Sequence, residues 1–217
     1  MRSVLFILMC IFLTQSGLAQ FITIGTAQPM DGSCIQLTPD RPYAQGIAYS
    51  TTKLNLQNYF EIQFDIYLGD KNGAGADGIT FVIHNDSREY EAFGGWGEGM
   101  GYGRMNPYGN GNNISPSVAV EFDTYQNAIQ NDPLMDHVAY LENGYSFHEY
   151  YWNGNNDDFN LEDGELHDFR FRWNPSDKTI TVYLDGLVVY QGTRDLLNDV
   201  FSGQANVIWG FTCLLYT

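Results

Sequence analysis

The stretch VAVEFDTYQNAIQNDPLMDH, residues 118–137, places two carboxylates beside an apolar strand face. Successive side chains of a β-strand point to opposite faces, so Val120 and Phe122 lie on one face and neighbouring Glu121 and Asp123 on the other. The apolar face is suited to a hydrophobic core. Two adjacent carboxylates repel each other unless a cation or water compensates them. The stretch therefore predicts a strand with one core face and one face that attracts cations.

The loop after this strand offers further metal ligands. Hard oxygen ligands suit Ca²⁺, whereas a set that includes an imidazole suits a transition ion. The oxygen-only set comprises Asp123, the Tyr125 carbonyl, Asn127 and Asp132. The mixed set comprises Glu121, Asp123, Asp132 and His137. Because two carboxylates belong to both sets, each is expected to offer one oxygen to each ion. The alternative is a solvated strand face followed by a polar loop, in which the histidine merely begins the next strand.

Hydrophobic periodicity elsewhere in the chain is two rather than 3.6. Apolar and polar side chains alternate from Phe60 to Leu68, and Asp185-Gly186 separates two short apolar runs as a hairpin turn does. Further strand-like runs cover residues 78–84, 117–125, 137–142, 167–173 and 205–212. Only Arg194 to Phe201 has a helical pattern. Many short strands without helical crossovers predict an all-β fold, an antiparallel β-sandwich.

The motifs resemble those of one known family, the legume-type (L-type) lectins. The stretch from Glu121 to His137 resembles their paired Ca²⁺/Mn²⁺ loop, Ala76 to Ile83 their Ala-Asp-Gly strand, Gly97 to Tyr102 their Gly-rich loop, and His167 to Tyr190 their late hairpin. The resemblance extends from Phe21 to Thr212. It implies a concanavalin A-like jelly roll that binds Ca²⁺ and a transition ion, Mn²⁺ by analogy. It also implies non-enzymatic, metal-dependent binding of glycans or glycoproteins, and it allows an oligomer.

The same resemblance implies a sugar-binding pocket. Asp77 would accept hydrogen bonds from two sugar hydroxyls, Asn127 would donate its amide, and the Tyr125 ring would stack on the apolar sugar face. A cis peptide is implied between Ala76 and Asp77. Glu98 stands where the family presents a glycine whose backbone N–H meets the sugar, so its side chain is expected to crowd or recharge the pocket.

The two ends of the chain carry separate expectations. Residues 1–19 have the charged start, apolar run and small-residue end of a signal peptide, with cleavage after Ala19. Export to the periplasm, the cell surface or the medium is therefore expected. Compared with the family, residues 20–217 form a domain that lacks its final loop and strand. Strands 21–24 and 205–212 are then expected to have backbone groups without partners.

Charge excludes two classes of partner. The 217-residue chain has 26 acidic and 10 basic residues, a formal charge of −16 at pH 7. Nucleic acids and anionic membrane surfaces are bound through lysine and arginine clusters, which this chain lacks. No apolar stretch beyond the N-terminal segment is long enough to span a bilayer. Neither nucleic-acid binding nor membrane insertion is expected.

Two cysteines remain after removal of the signal peptide, Cys34 and Cys213. An extracellular location favours their pairing. Relatives with a cysteine near Cys34 have its partner close to the C-terminus, beyond the point where this chain ends. The sequence leaves two possibilities, a Cys34–Cys213 disulfide or a free thiol at Cys213.

Two other functional classes compete with the lectin hypothesis. One is a structural or adhesion module that binds metals but no sugar. The other is a glycoside hydrolase of the same fold, because Glu121 and Asp123 approach the Glu-x-Asp-x-x-Glu pattern of such enzymes. Gln126 occupies the third position, however, and an amide cannot transfer the proton that the mechanism needs. The histidines outside the ligand set, His84, His148 and His167, are interpreted as surface or core residues.

Overall fold

The computed structural model describes residues 6–11, 20–72, 75–154 and 159–215, with the backbone alone for 6–11 and 215. In chain order the strands of these ranges are β1 (Phe6–Ile11), β2 (Phe21–Gly25), β3 (Gln28–Pro29), β4 (Cys34–Pro39), β5 (Ala44–Ser50), β6 (Leu54–Asn55), β7 (Phe60–Tyr67), β8 (Gly78–His84), β9 (Ser117–Asp123), β10 (His137–Glu142), β11 (Tyr151–Trp152), β12 (His167–Asn174), β13 (Thr179–Leu184), β14 (Leu187–Thr193) and β15 (Asn206–Leu215). They form two antiparallel sheets, which confirms the predicted all-β architecture.

The two sheets have seven and eight strands. The first has the order β14-β13-β12-β7-β1-β4-β3, and the second has the order β11-β10-β9-β8-β15-β5-β2, with β6 paired to β15. Strands β9 and β10, which carry most of the predicted metal ligands, are neighbours in the second sheet. Strand β8, which follows Asp77, lies on the other side of β9. The topology thus brings the metal-loop motif and the Ala-Asp-Gly motif to one end of adjacent strands.

An aromatic core holds the two sheets together. Phe64 of β7 meets Phe211 of β15 with ring centroids 4.5 Å apart, and Phe169 of β12 meets Phe122 of β9 at 5.0 Å. Both contacts are edge-on, the arrangement that the ring quadrupoles favour. All four side chains are at most 1% exposed. The inward residues of the period-two pattern are therefore the core residues of the sandwich.

Helical structure in the described ranges is limited to short turns. These are 3₁₀ turns at Glu89–Glu91, Gly97–Gly99 and Ala128–Gln130 and a π-helical turn at Leu196–Val200. The last lies within the predicted helix 194–201 but is shorter, and Asp195 caps it by accepting a hydrogen bond from the Asn198 N–H at 3.1 Å. None of these turns has the length or apolar character to cross a membrane.

Strand β15 corrects the expectation of unpaired groups at residues 205–212. It lies inside the second sheet, where Phe211 is opposite Phe81 of β8 on one side and Ala48 of β5 on the other. The strand is therefore hydrogen-bonded along both edges. Of the two strands for which unpaired groups were predicted, β2, which begins at Phe21, does lie at one edge of that sheet.

Strand β1 lies inside the first sheet. Met9 is opposite Ile35 of β4 on one side and Ile66 of β7 on the other. The strand falls within the apolar segment predicted to be a signal peptide, residues 1–19. Residues 1–5 and 12–19 lie outside the described ranges, so the cleavage after Ala19 stays a prediction.

The structure decides between the two possibilities for Cys34 and Cys213. Cys34 forms a disulfide, whereas Cys213 is a buried free thiol, so a Cys34–Cys213 disulfide is absent. Sγ of Cys213 lies 3.2 Å from Oγ1 of Thr38 in the core. Burial raises the pKa of the Cys213 thiol to about 12. A thiol that holds its proton this firmly is a poor nucleophile, which indicates a packing role for Cys213.

Deletion of residues 1–19 tests the position of β1. Removing the strand leaves the facing backbone groups of β4 and β7 without partners, and each net hydrogen bond contributes roughly 0.5–1.5 kcal/mol. We expect a loss of at least about 2 kcal/mol, or a fall in Tm of about 4–8 °C. Deletion of residues 1–5 is the control because β1 remains. Equal Tm values and equal amide-exchange protection of β4 and β7 in the two deletions would contradict the placement.

Candidate metal centre and adjoining pocket

The register of β9 and β10 places a carboxylate pair and an imidazole together. His137 is opposite Asp123, and Glu121 is opposite Ala139. Both carboxylates are buried, Glu121 at 2% and Asp123 at 0% exposure, and His137 is 1% exposed. The polar strand face predicted from the sequence is therefore not a solvated surface. Carboxylates removed from water in this way need a compensating charge or donor.

The loop from Thr124 to Asp136 brings Asp132 back to the end of β9. The Tyr125 N–H donates to Oδ1 of Asp123 at 2.7 Å, and the Asn127 N–H donates to Oδ2 of Asp132 at 2.6 Å. Asn131 ends the 3₁₀ turn of the loop in the left-handed region, with φ of 70°. In both carboxylates one oxygen is held by the backbone and the other is left for a different partner.

Two groups of potential ligands result. Within each group the ligand atoms lie within 4.8 Å of one another. One group comprises Asp123, Asp132 and His137. The other comprises Glu121, His137 and His148. The structure thus brings together the four carboxylate and imidazole ligands predicted from the sequence, with Tyr125 and Asn127 in the loop between them.

His148 is a site residue that the sequence interpretation missed. It had been assigned to the surface or core, yet Nδ1 lies 2.7 Å from Oδ1 of Asp132 and Nε2 contacts Oε1 of Glu121. Asn143-Gly144, both with positive φ, turns the chain back after β10 and toward the metal loop. An Asn-Gly pair predicts a tight turn from the sequence alone, and this turn was the signal that His148 returns toward the loop.

The other two histidines lie outside the cluster. His84 is buried in the core beside Tyr49, with ring centroids 4.7 Å apart, and burial lowers its pKa to about 4. Nδ1 of His167 lies 2.8 Å from a carboxylate oxygen of Asp185. The interpretation of these two as structural histidines agrees with their surroundings.

The electrostatics of the cluster follow from burial. Burial raises the pKa of Glu121 and raises that of Asp123 well above its usual range, and Asp132 adds to both effects. Burial and, to a smaller extent, the adjacent His148 lower the pKa of His137 to about 4. Burial also disfavours the charged form of His148, but Glu121 and Asp132 outweigh this and raise its pKa to about 10. The cluster therefore demands positive charge at its centre.

Unpartnered polar atoms identify the place where a cation fits. These buried atoms have no hydrogen-bond partner in the described structure: Glu121 Oε1, Asp123 Oδ2, Asn127 Oδ1, Asp132 Oδ1, His137 Nε2 and both ring nitrogens of His148. Buried polar groups are rarely left unsatisfied, so their convergence indicates a missing partner. The atoms include both oxygens and imidazole nitrogens, the two kinds of ligand that distinguish the Ca²⁺ set from the transition-ion set.

A cavity of about 210 Å³ lies beside the cluster. Its lining includes the four residues predicted to bind sugar, Asp77, Glu98, Tyr125 and Asn127, together with Ala76, Gly97 and Met105. The Ala76–Asp77 peptide is cis, as expected. Tyr125 is 49% exposed, so its ring is accessible to a ligand. Two of the lining residues also belong to the metal loop.

Asp77 is fixed between the cavity and the metal loop. Its carbonyl accepts a hydrogen bond from the Thr124 N–H at 2.9 Å, while Oδ2 has no partner. The next residue must be glycine because a Cβ at Gly78 would lie 2.0 Å from the Phe122 carbonyl. Burial, Glu98 and Asp132, in that order, raise the pKa of Asp77 to about 7.

Glu98 forms the opposite wall. It lies in the 3₁₀ turn Gly97–Gly99, and its carbonyl accepts a hydrogen bond from Nε2 of Gln130 at 2.7 Å. This bond ties the pocket wall to the metal loop. Burial, with a further contribution from Asp132, raises the pKa of the Glu98 carboxyl. The Glu98 side chain adds a carboxyl group to the lining of the pocket, where a glycine would add none.

Comparison with known proteins agrees with this geometry. Residues 13–213 match the family described as Legume lectin beta-barrel domain. The basic winged bean lectin, solved with Tn-antigen, is 20% identical, with 98% of this chain and 88% of that chain covered at a TM-score of 0.70. The lectin from Bauhinia forficata in complex with GalNAc is 19% identical, with 96% and 91% covered at 0.72.

A third similar structure is arcelin-5, a lectin-like defense protein from Phaseolus vulgaris. It is 18% identical, with 99% of this chain and 91% of that chain covered at a TM-score of 0.68. At these identities the three structures show a shared fold, the jelly-roll sandwich. The family match covers almost the whole chain, and this protein therefore belongs to the legume lectin beta-barrel domain, or L-type lectin, family.

Proposed function

We propose that this protein is a non-catalytic, metal-dependent carbohydrate-binding domain. The observation that carries the proposal is the convergence of Asp77, Glu98, Tyr125 and Asn127 on one cavity beside a buried cluster of potential metal ligands. Two of the similar structures, from winged bean and Bauhinia forficata, were solved with Tn-antigen and with GalNAc. Glycans or glycoproteins are the partner class that this chemistry fits.

The metal centre would have two parts. The oxygen-only set would hold Ca²⁺ through Asp123, the Tyr125 carbonyl, Asn127 and Asp132. The mixed set would hold a transition ion, with Mn²⁺ as the first candidate, through Glu121, Asp123, Asp132 and His137. When bound, the ions fix the loop and place positive charge near Asp77, which favours its ionised form.

The protein groups of the cavity supply the sugar contacts. An ionised Asp77 accepts hydrogen bonds from two hydroxyls, and the Asn127 amide and the Glu98 backbone N–H donate to others. The exposed Tyr125 ring stacks on the C–H face of a pyranose. Because Asp132 raises the pKa of Asp77, a cation that compensates Asp132 also prepares Asp77 to accept hydrogen bonds. This link, together with the fixing of the loop by the ions, would make sugar binding depend on metal.

Two further properties belong to the proposal. The charged start and apolar run of residues 1–19 favour export to the periplasm, cell surface or medium, and the deletion of these residues tests whether the exported protein retains β1. The charge of −16 opposes binding to nucleic acids and anionic membranes. Both features suit a protein that meets glycans outside the cell.

A glycan array, run with and without chelator, distinguishes the candidate functions. Binding that chelator abolishes supports the lectin, and release of reducing sugar from a glucan identifies a hydrolase instead. Bound metal with neither activity identifies a structural or adhesion module. Glu121 and Asp123 are nearly inaccessible to a substrate, which argues against the hydrolase.

The metal stoichiometry is the first prediction. After dialysis against Ca²⁺ and Mn²⁺, wild type should retain one Ca²⁺ and one transition ion by elemental analysis. Asp123→Ala should empty both sites because its carboxylate serves both, whereas His137→Ala should mainly weaken the transition-ion site. Asp31→Ala, at an exposed carboxylate, is the matched control and should bind like wild type. Wild type without bound divalent metal would contradict the assignment.

The pocket assignment is tested at Asp77. Asp77→Asn keeps the shape but replaces an acceptor oxygen with a donor, so glycan binding should weaken at least about tenfold, since a hydrogen bond to a charged group contributes roughly 1.5–3 kcal/mol. Metal content should stay at the wild-type level. Asp31→Asn is the control in the same titration. Wild-type glycan affinity in Asp77→Asn would place the sugar site elsewhere.

A further inference from the structure

The ring of His148 is buried inside the metal cluster, between two carboxylates. The side chain is 0% exposed, Nδ1 is 2.7 Å from Oδ1 of Asp132, and Nε2 contacts Oε1 of Glu121. Metal binding releases the protons of its ligands, so an imidazole held in this position can give the lone pair of one nitrogen to an ion.

The backbone fixes this ring in place. The His148 N–H donates to the Gln130 carbonyl at 2.8 Å, and Nδ2 of Asn131 donates to the His148 carbonyl at 2.8 Å. Both partners belong to the metal loop. His148 is therefore positioned by the same loop that positions Asp132, although it lies eleven residues beyond His137 in the sequence.

The donor atoms around His148 have the spacing of ligands to one ion. Nε2 of His137 is 4.0 Å from Oε1 of Glu121, and the donor atoms of Glu121, His137 and His148 all fall within one 4.8 Å group. Two ligands at about 2.1 Å from a shared zinc ion are at most about 4.2 Å apart, so small side-chain adjustments suffice. Two histidines and one glutamate form a ligand set that proteins use for zinc.

We propose that His148 is an additional ligand of the transition ion, binding through Nε2 together with Glu121 and His137, and that it makes this a Zn²⁺-selective centre. The inference rests on the proposed function and refines its metal centre, for which Mn²⁺ was the first candidate. A second imidazole favours Zn²⁺, whereas carboxylates and water favour Mn²⁺. The Asp132 carboxylate on the Nδ1 side orients the ring, as carboxylates commonly do for zinc-bound histidines.

The same principle explains the orientation of His137. One of its ring nitrogens is hydrogen-bonded to the Met135 backbone, which leaves Nε2 facing the cluster. The rings of His137 and His148 meet edge-on with centroids 4.9 Å apart. The two imidazoles thus approach the same point from different elements, one from the start of β10 and the other from the returning turn.

Competitive titration of the metal-stripped protein tests the proposal. With Ca²⁺ saturating, wild type should bind Zn²⁺ on the order of 100-fold more tightly than Mn²⁺. His148→Ala should lose most of this preference, because Zn²⁺ affinity falls roughly 10- to 100-fold while Mn²⁺ affinity changes less than about tenfold. His148→Gln, which preserves volume and polarity, should behave in the same way. His84→Gln, at a buried histidine outside the cluster, is the matched control and should keep the wild-type ratio.

A measurement on wild type removes any dependence on mutant folding. Zn²⁺ should shift the ¹⁵N resonance of Nε2 of His148 to that of a metal-bound imidazole, and Co²⁺ should give a visible spectrum that changes in His148→Gln. Unchanged His148 resonances, or equal Zn²⁺/Mn²⁺ ratios in wild type and both His148 variants, would overturn this inference while leaving the proposed metal centre intact. Wild type that binds neither Zn²⁺ nor Mn²⁺ would overturn both.

Discussion

Burial of like charges is the constraint on which the site depends. Glu121, Asp123 and Asp132 are carboxylates with almost no exposure to water, and each leaves one oxygen without a hydrogen bond. Like charges buried in a low-dielectric interior are costly unless they are compensated, so the arrangement favours bound cations. The surrounding loop, with its backbone donors to the other carboxylate oxygens, is built to hold that charge in place.

The proposed sugar pocket is held in place by its contacts with this centre. Tyr125 and Asn127 stand in the metal loop and line the cavity, and the Gln130 side chain fastens the loop to the Glu98 wall. Asp77 is attached to the start of the same loop through Thr124. The pocket is therefore fastened to the metal loop at several points. The positions of its polar groups follow the loop, so under the proposed function ions that touch no sugar would govern sugar binding.

Strands with one buried face could be predicted from the sequence. Features that depend on full burial of a strand, or on contacts between distant parts of the chain, could not. Period-two alternation predicted β7 and β12, and carboxylate spacing predicted the cluster on β9. Strand β5 was not predicted because nearly every residue in it is buried, which removes the alternation. The helix pattern at 194–201 yielded only a π-helical turn, since a single short turn lacks the length for a stable helix. His148 was not predicted as a site residue because its position in the cluster depends on a chain reversal after β10.

The alternation of β9 also limits how this protein can diversify. Its core side chain, Phe122, lies between the two proposed ligands Glu121 and Asp123, so inserting one residue upstream would turn the phenylalanine toward the proposed ion sites and the carboxylates into the aromatic core. Strand length is therefore not free to vary. The segments after Asp123 and after Glu142 have no such period, and insertions there would change which groups reach the cavity while sparing the sandwich. New ligand preferences can thus arise by loop exchange on an unchanged framework.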